Sequence, residues 1–235
     1  MKALILAAGF GSRLAPITDN CPKSLVPVNG KPILLKQIEN LYENDITDIT
    51  IISGYKAEIL EKSVHDRYPE IHIIYSADYA TTNNMYSAYI AKDAMGSNGF
   101  LMMNADVFYD ASVITALLKF EAENAIVTDI GTYLEESMKV VERDGRLVQI
   151  SKTINPEDAL GASIDVYKFS EDGAAAFFAK CTEYIEQKKE LKMWSEVALN
   201  DILQSIEFKA CPLVGRWMEI DNHDDLAAAT KMFAD

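Results

Sequence analysis

The residues best suited to chemistry follow the first apolar run: Leu6-Ala7-Ala8-Gly9-Phe10-Gly11-Ser12-Arg13-Leu14, then Pro16, Thr18 and Pro22-Lys23. Glycines at the carboxyl end of a first strand let backbone N–H groups approach phosphate oxygens, and open α/β sheets bind ligands at that end. Arg13 and Lys23 would supply the positive charge. The competing reading of Gly9 and Gly11 is a tight strand-to-helix turn. Two common phosphate loops are excluded by spacing. A dinucleotide fingerprint needs a third glycine where this chain has Leu14, and the second apolar run ends in Ser53-Gly54-Tyr55 without a ribose-binding carboxylate. A Walker loop, G-x-x-x-x-G-K-S/T, is absent.

Two carboxylate landmarks lie far downstream. Asn104-Ala105-Asp106 closes the apolar run Phe100–Met103, and Asp221 closes Gly215-Arg216-Trp217-Met218-Glu219-Ile220-Asp221. Two aspartates from distant strands suit Mg²⁺, a hard ion that keeps several waters and accepts one or two carboxylates plus phosphate oxygens. Each has a structural alternative, since Asp110 or Asp221 ahead of helical sequence also makes a good N-cap. Lys152, in Ile150-Ser151-Lys152, ends another strand-like run and could equally be a solvated strand-end lysine. His65, His72 and His223 stand in contexts that suggest no nucleophile or base.

These residues need a scaffold, and the apolar pattern supplies one. Short β-branched runs at Ala3–Ala7, Ile49–Ile52, Ile71–Tyr75, Phe100–Met103 and Ala125–Thr128 alternate with helical periods at Pro32–Tyr42, Ala57–Tyr68, Met85–Met95 and Ser112–Phe120. That alternation predicts a parallel α/β sheet. Beyond residue 130 the rhythm changes to a hairpin, Met138–Val141 and Leu147–Ile150 around Asp144-Gly145. A strand at Ser163–Phe169, helices at Gly173–Lys188 and Trp194–Gln204, a strand at Trp217–Ile220 and a helix near Asp225–Phe233 follow. We expect one domain over 1–235, with a nucleotide-binding core at 1–130 and acceptor-binding, closing elements at 131–235 that cover one side of the sheet.

Bulk properties narrow the function classes. The 235 residues are 49% hydrophobic and 25% charged, ordinary for a globular chain. A net charge of -14 repels polyanions, so a nucleic-acid surface is not expected. No apolar run is long enough to span a membrane, and no export signal is evident. With Cys21, Cys181 and Cys211 forming no CxxC pair, a reducing cytoplasmic setting and inert thiols are expected.

The string G-x-G-S-R-L-x-P-x-T-x-x-x-P-K, from Gly9 to Lys23, resembles the signature of the sugar-phosphate nucleotidyltransferase family. Asp106, Lys152 and the W-x-x-I-D ending at Asp221 extend the resemblance over essentially the whole chain. It implies an α/β, Rossmann-like mixed and mostly parallel sheet flanked by helices, with a C-terminal acceptor-binding part. It also implies that Arg13 and Lys23 hold a triphosphate, that Asp106 and Asp221 hold Mg²⁺, and that Lys152 contacts an acceptor phosphate. The acceptor oxygen would attack the α-phosphorus in line, with no general base because the acceptor is already ionised.

Nucleotide contacts are expected from Leu6, Ala7, Ala8, Gly9, Gly11, Ser12, Arg13, Lys23, Thr82, Asn83 and Asn84. Thr82 or Asn83 could also cap a helix. Asn83-Asn84 followed by Tyr86-Ser87 is similar to the phosphocholine cytidylyltransferase branch, where sugar-specific members carry Gln and Gly, so CTP is the expected nucleotide. Tyr133, Glu135, Lys152, Asp165, Tyr167, Trp194 and Trp217 are the expected acceptor contacts, with core packing as the alternative for the aromatics. Asp165 replaces a glycine usual beneath a sugar, which disfavours a hexose and suits a cationic headgroup, an amino-alkyl phosphonate or a polyol phosphate. Partners implied are CTP and a small phosphorylated substrate, with homodimerisation open. The competing functions are a sugar-1-phosphate nucleotidyltransferase using UTP or dTTP, and a non-catalytic nucleotide-binding regulatory module.

Overall fold

The computed structural model describes residues 1–133 and 136–234. The first half contains β1 (Lys2–Ala7), the two-residue strands β2 (Pro27–Val28) and β3 (Lys31–Pro32), α1 (Ile33–Tyr42), β4 (Ile49–Ser53), α2 (Ala57–His65) and β5 (His72–Tyr75). It continues through α3 (Asn84–Ile90), α4 (Lys92–Met95), β6 (Phe100–Asn104), β7 (Val107–Tyr109), α5 (Ser112–Lys119) and β8 (Ala125–Ile130). The second half adds β9 (Lys139–Arg143), β10 (Arg146–Ser151), β11 (Gly161–Phe169), α6 (Glu171–Thr182), α7 (Ser195–Ile202), β12 (Lys209–Pro212), β13 (Trp217–Glu219) and α8 (His223–Met232).

The main sheet is ordered β10-β9-β11-β6-β1-β4-β5, with β8 on β11 and β12 on β8. It is mixed and largely parallel in its central part: β1 runs parallel to β4 and β6, and β4 to β5, while β11 is antiparallel to β6. Both faces of β1 are buried, which is why its sequence is a continuous apolar run. Ala3, Ile5 and Ala7 enter one core with α1 and α5, and Leu4, Leu6 and Ala8 enter the other with α3, α6 and α7. A smaller cluster of Leu14, Val26, Val28, Phe108, Ile220 and Ala229 packs the glycine-loop region against α8.

Three departures from the sequence expectation have physical reasons. The predicted helix Met85–Met95 breaks at Ala91 into α3 and α4. The helix predicted over Gly173–Lys188 starts earlier, because Ser170 Oγ accepts from the Gly173 N–H and caps it, and it passes into a π-helical turn at Glu183–Gln187. The C-terminal half does more than cover the sheet, since β11 hydrogen-bonds directly to β6. β11 also carries an irregularity between Ser163 and Tyr167 where Asp165 takes a left-handed φ of 58°. A bulge of this kind re-aims the side chain it contains. Among the described residues no helix is long and apolar enough to cross a membrane.

Candidate active site

The glycine turn leaves the carboxyl end of β1 and doubles back on itself. Gly11 has φ 65°, and a Cβ there would lie 2.5 Å from Lys23 Cβ, so glycine lets the Lys23 stem pass against the loop. A Cβ at Gly9 would meet nothing within 4 Å, which leaves the cleft side of the turn open. Thr18 Oγ1 donates to the Gly11 carbonyl and Tyr55 OH donates to the Thr18 carbonyl, fixing the turn's far side.

Asp106 and Asp221 meet because β7 and β13 form an antiparallel ribbon with Val107 opposite Glu219. Asp106 immediately precedes one strand and Asp221 follows the other, and the Ile220 N–H donates to the Asp106 carbonyl across 2.9 Å. From α1, the buried Gln37 Nε2 donates to the Asn104 and Val107 carbonyls at 2.9 and 2.8 Å, pinning the turn that presents Asp106. The capping alternative for Asp221 falls away. Asn222 caps α8 in a reciprocal capping box with Asp225, so the Asp221 carboxylate is left for the cleft. Asp110 does not cap α5 either; its carboxylate grips Arg216 through the backbone N and the guanidinium.

One oxygen each from Asp106, Glu219 and Asp221 lies within 4.8 Å of the others, a set that could hold one divalent metal ion. Hard carboxylate donors fit such an ion, and Asp106 Oδ1 is buried with no hydrogen-bond partner among the described residues, a donor that coordination would satisfy. Lys23 Nζ lies 2.9 Å from Asp106 Oδ2 and 2.6 Å from Asp221 Oδ1, and Arg13 Nη2 lies 2.7 Å from Asp221 Oδ2. Burial alone would lower the Lys23 pKa, but the two carboxylates outweigh it and hold it above the ordinary lysine value. Burial would likewise raise Asp221, yet Lys23 and Arg13 keep it below the usual carboxylate range. Glu219 is pushed up to about 7 by burial and by the charges of Asp106 and Asp221.

The same cleft holds a second acidic group. The Asp165 carboxylate accepts from Tyr167 OH at 2.8 Å and from Asn104 Nδ2 at 3.0 Å. Glu196, in the first turn of α7 and 3% exposed, accepts from the same Tyr167 hydroxyl at 3.1 Å. Burial and the charges of Glu196, Glu219 and Asp106 raise the Asp165 pKa well above its ordinary value. Lys152 Nζ lies 5.2 Å from the centre of the Trp194 ring at the rim.

A model of the nucleotidyl transferase family matches residues 2–235. The chain belongs to that family. Among its relatives, a CTP:phosphoglutamine cytidylyltransferase of Campylobacter jejuni is 28% identical over 252 residues, covering 96% of this chain and 98% of the relative. A choline-phosphate cytidylyltransferase of Streptococcus pneumoniae is 45% identical over 98 residues, 42% of each chain. The solved CTP:phosphocholine cytidylyltransferase of Streptococcus pneumoniae superposes with a TM-score of 0.81 at 25% identity, over 99% of both chains.

Within this nucleotidyl transferase the cleft, about 360 Å³, brings together most of the expected site. Leu6, Ala8, Gly9, Gly11, Ser12, Arg13, Lys23, Thr82, Asn83, Asn84, Asp106, Lys152, Asp165, Trp194, Trp217 and Asp221 all line it. Ala7 does not, because strand alternation turns its side chain into the opposite core. Asn83 both lines the cleft and caps α3, whereas Thr82 Oγ1 donates to the Asp78 carbonyl. Tyr167 is fully buried and touches the cleft through Ser163, Asp165 and Glu196, so it supports the site instead of lining it. Tyr133, beyond the end of β8, does not line the cleft. Glu135 lies outside the described residues. Sequence reading missed Glu219, Glu196 and Asn104. For Glu219 the signal was present, since a strand's period of two puts it on one face with Trp217 and Asp221.

Proposed function

We propose that this nucleotidyl transferase transfers CMP from CTP to a small, amine-bearing phosphate or phosphonate and releases pyrophosphate. One observation carries the reading: a single cleft has Arg13, Lys23 and three carboxylates around the glycine turn, and is lined as well by the acidic pair Asp165 and Glu196. The choice of CTP is supported by relatives that are named for it, one of them matched along nearly its full length.

Chemistry of this class needs charge neutralisation and alignment more than covalent help. Arg13 and Lys23 would hold the triphosphate and the departing pyrophosphate over the open face of Gly9. Asp106, Glu219 and Asp221 would hold Mg²⁺, which when bound supplies Lewis-acid polarisation of the α-phosphate. Lys152 would take the acceptor's phosphorus-bound oxygens, already ionised and needing no base. Leu6, Ala8 and the polar segment Thr82-Asn83-Asn84 would meet the base. The carboxylates of Asp165 and Glu196, which share one tyrosine hydroxyl, lack a cationic protein partner in the contacts described. An ammonium on the acceptor would neutralise them, and a neutral hexose would not.

Pyrophosphate release should be measured for CTP, UTP and dTTP against 2-aminoethylphosphonate, phosphoethanolamine, phosphocholine and glucose 1-phosphate. Turnover restricted to CTP with an amine-bearing acceptor is the expected result. Turnover of glucose 1-phosphate with UTP or dTTP, and none with CTP, would overturn the proposal.

A further inference from the structure

The carboxylates suited to a metal already hold an ammonium. Lys23 Nζ engages Asp106 Oδ2 and Asp221 Oδ1 at 2.9 and 2.6 Å, and Arg13 engages the second oxygen of Asp221. Those two aspartates are two of the three residues whose oxygens cluster within 4.8 Å. An ion coordinated there would share the two carboxylates that the ammonium now engages, and two cations on the same carboxylates would repel at contact distance. The base of Lys23 is fixed, because its stem packs directly on Gly11. Its charged end stands on a flexible four-carbon stem and can swing between the carboxylates and the open face of the glycine turn. Arg13 is freer still, with its side chain 66% exposed.

We propose that Lys23, assisted by Arg13, is a placeholder cation: it neutralises Asp106 and Asp221 in the nucleotide-free protein and must leave them before a divalent ion binds. The exchange conserves charge, two single positive charges departing as one double charge arrives. The released cations are the ones a triphosphate engages, so a nucleotide draws Lys23 away from the site that its metal needs. A divalent ion alone is therefore bound weakly, in proportion to the fraction of molecules whose Lys23 has left. The inference rests on the metal-site reading given under Proposed function.

The test uses Mn²⁺ alone, titrated into the nucleotide-free protein with free Mn²⁺ followed by electron paramagnetic resonance. Lys23→Met should bind Mn²⁺ about tenfold or more tighter than the wild type, as removal of a competing internal cation requires. Lys152→Met removes the same charge from the same cleft without freeing either aspartate, and should gain about twofold at most. Lys23→Gln repeats the comparison if the methionine variant does not fold. Equal gains in the Lys23 and Lys152 variants, or no gain in either Lys23 variant while Asp221→Asn abolishes binding, would refute the placeholder role. Absence of Mn²⁺ binding in every variant, with and without CTP, would instead remove the metal site itself and this inference with it.

Discussion

The backbone N–H of Ile220 donates to the carbonyl oxygen of Asp106 across 2.9 Å. That one bond locks the end of the β7–β13 ribbon at the point where both aspartates emerge, so their separation is set by backbone geometry and not by side-chain choice. Substituting either carboxylate should therefore leave the fold in place. Asp106→Ala and Asp221→Ala are each expected to cut kcat/KM by about a hundredfold or more while circular dichroism stays unchanged, the size seen when an electrostatic group acting on a transition state is lost. Activity within a few-fold of wild type in either variant would remove that residue from the reaction.

Gln37 gives a prediction of the opposite kind, structural first and catalytic second. It is fully buried in α1, and its amide satisfies two buried carbonyls on either side of Asp106. Gln37→Leu leaves both acceptors unpaired and should cost about 2 kcal/mol or more of stability. Because the same bonds hold the Asp106 turn, kcat should fall while the KM for nucleotide changes little. Urea unfolding alongside steady-state kinetics checks both parts, and an unchanged unfolding midpoint would show that the bonds contribute nothing.

At Gly11 the constraint comes from two directions: a left-handed φ of 65° and the 2.5 Å approach to Lys23 Cβ. Gly11→Ala should destabilise the protein by about 1–3 kcal/mol through backbone strain and steric clash. It should also raise the KM for the triphosphate, because the clash pushes the Lys23 stem off the turn. Gly9→Ala meets open space and is expected to keep wild-type stability, so the pair of variants separates crowding from simple loss of glycine.

The glycine turn and the βα alternation were legible in the sequence, because each depends on local spacing or on strand period; Asp106 and Asp221 were singled out through the family resemblance, while their approach depends on the β7–β13 ribbon. Asp165 was legible as an expected acceptor contact suited to a cationic headgroup, but its setting was not. Its orientation depends on a bulge in β11, and its raised pKa on burial and on the charge of Glu196, which arrives from a helix that only the tertiary fold brings near. Ala7 was expected to meet the base through its backbone, and its side chain packs into the core away from the cleft. Tyr167 was expected at the acceptor and instead lies one layer behind it.

That position makes Tyr167 informative. Its hydroxyl bridges Asp165 and Glu196 at 2.8 and 3.1 Å. Tyr167→Phe removes the bridge and leaves two buried carboxylates facing each other without the shared donor. The KM for the acceptor should rise by about tenfold, equivalent to one charge-assisted hydrogen bond, while the KM for nucleotide stays within about twofold. Parallel changes in both constants would mean that the tyrosine acts on the whole fold and not on the acceptor end.

The fork between Asp110 and Arg216 ties the start of β13 to the end of β7, and it carries the pH dependence of that join. Asp110 Oδ2 accepts from the Arg216 backbone N–H and Nε at 2.9 and 3.0 Å, and Oδ1 accepts from Nη2 at 3.1 Å. Burial would raise the Asp110 pKa, but the Arg216 bonds and charge outweigh it and hold it below the ordinary carboxylate value. A depressed pKa means that the folded state binds the proton less readily than the unfolded chain. The stabilisation is thus fully present above the unfolded value, about 4, and is lost as pH falls through the lower folded value. With the Arg216 side chain 40% exposed, solvent screening limits the contribution to about 1 kcal/mol. Asp110→Asn should lower the melting temperature near neutral pH and flatten the decline below about pH 4, where wild-type stability drops. If the two proteins show parallel melting curves across that interval, the fork is not what links proton uptake to the loosening of the β7–β13 ribbon.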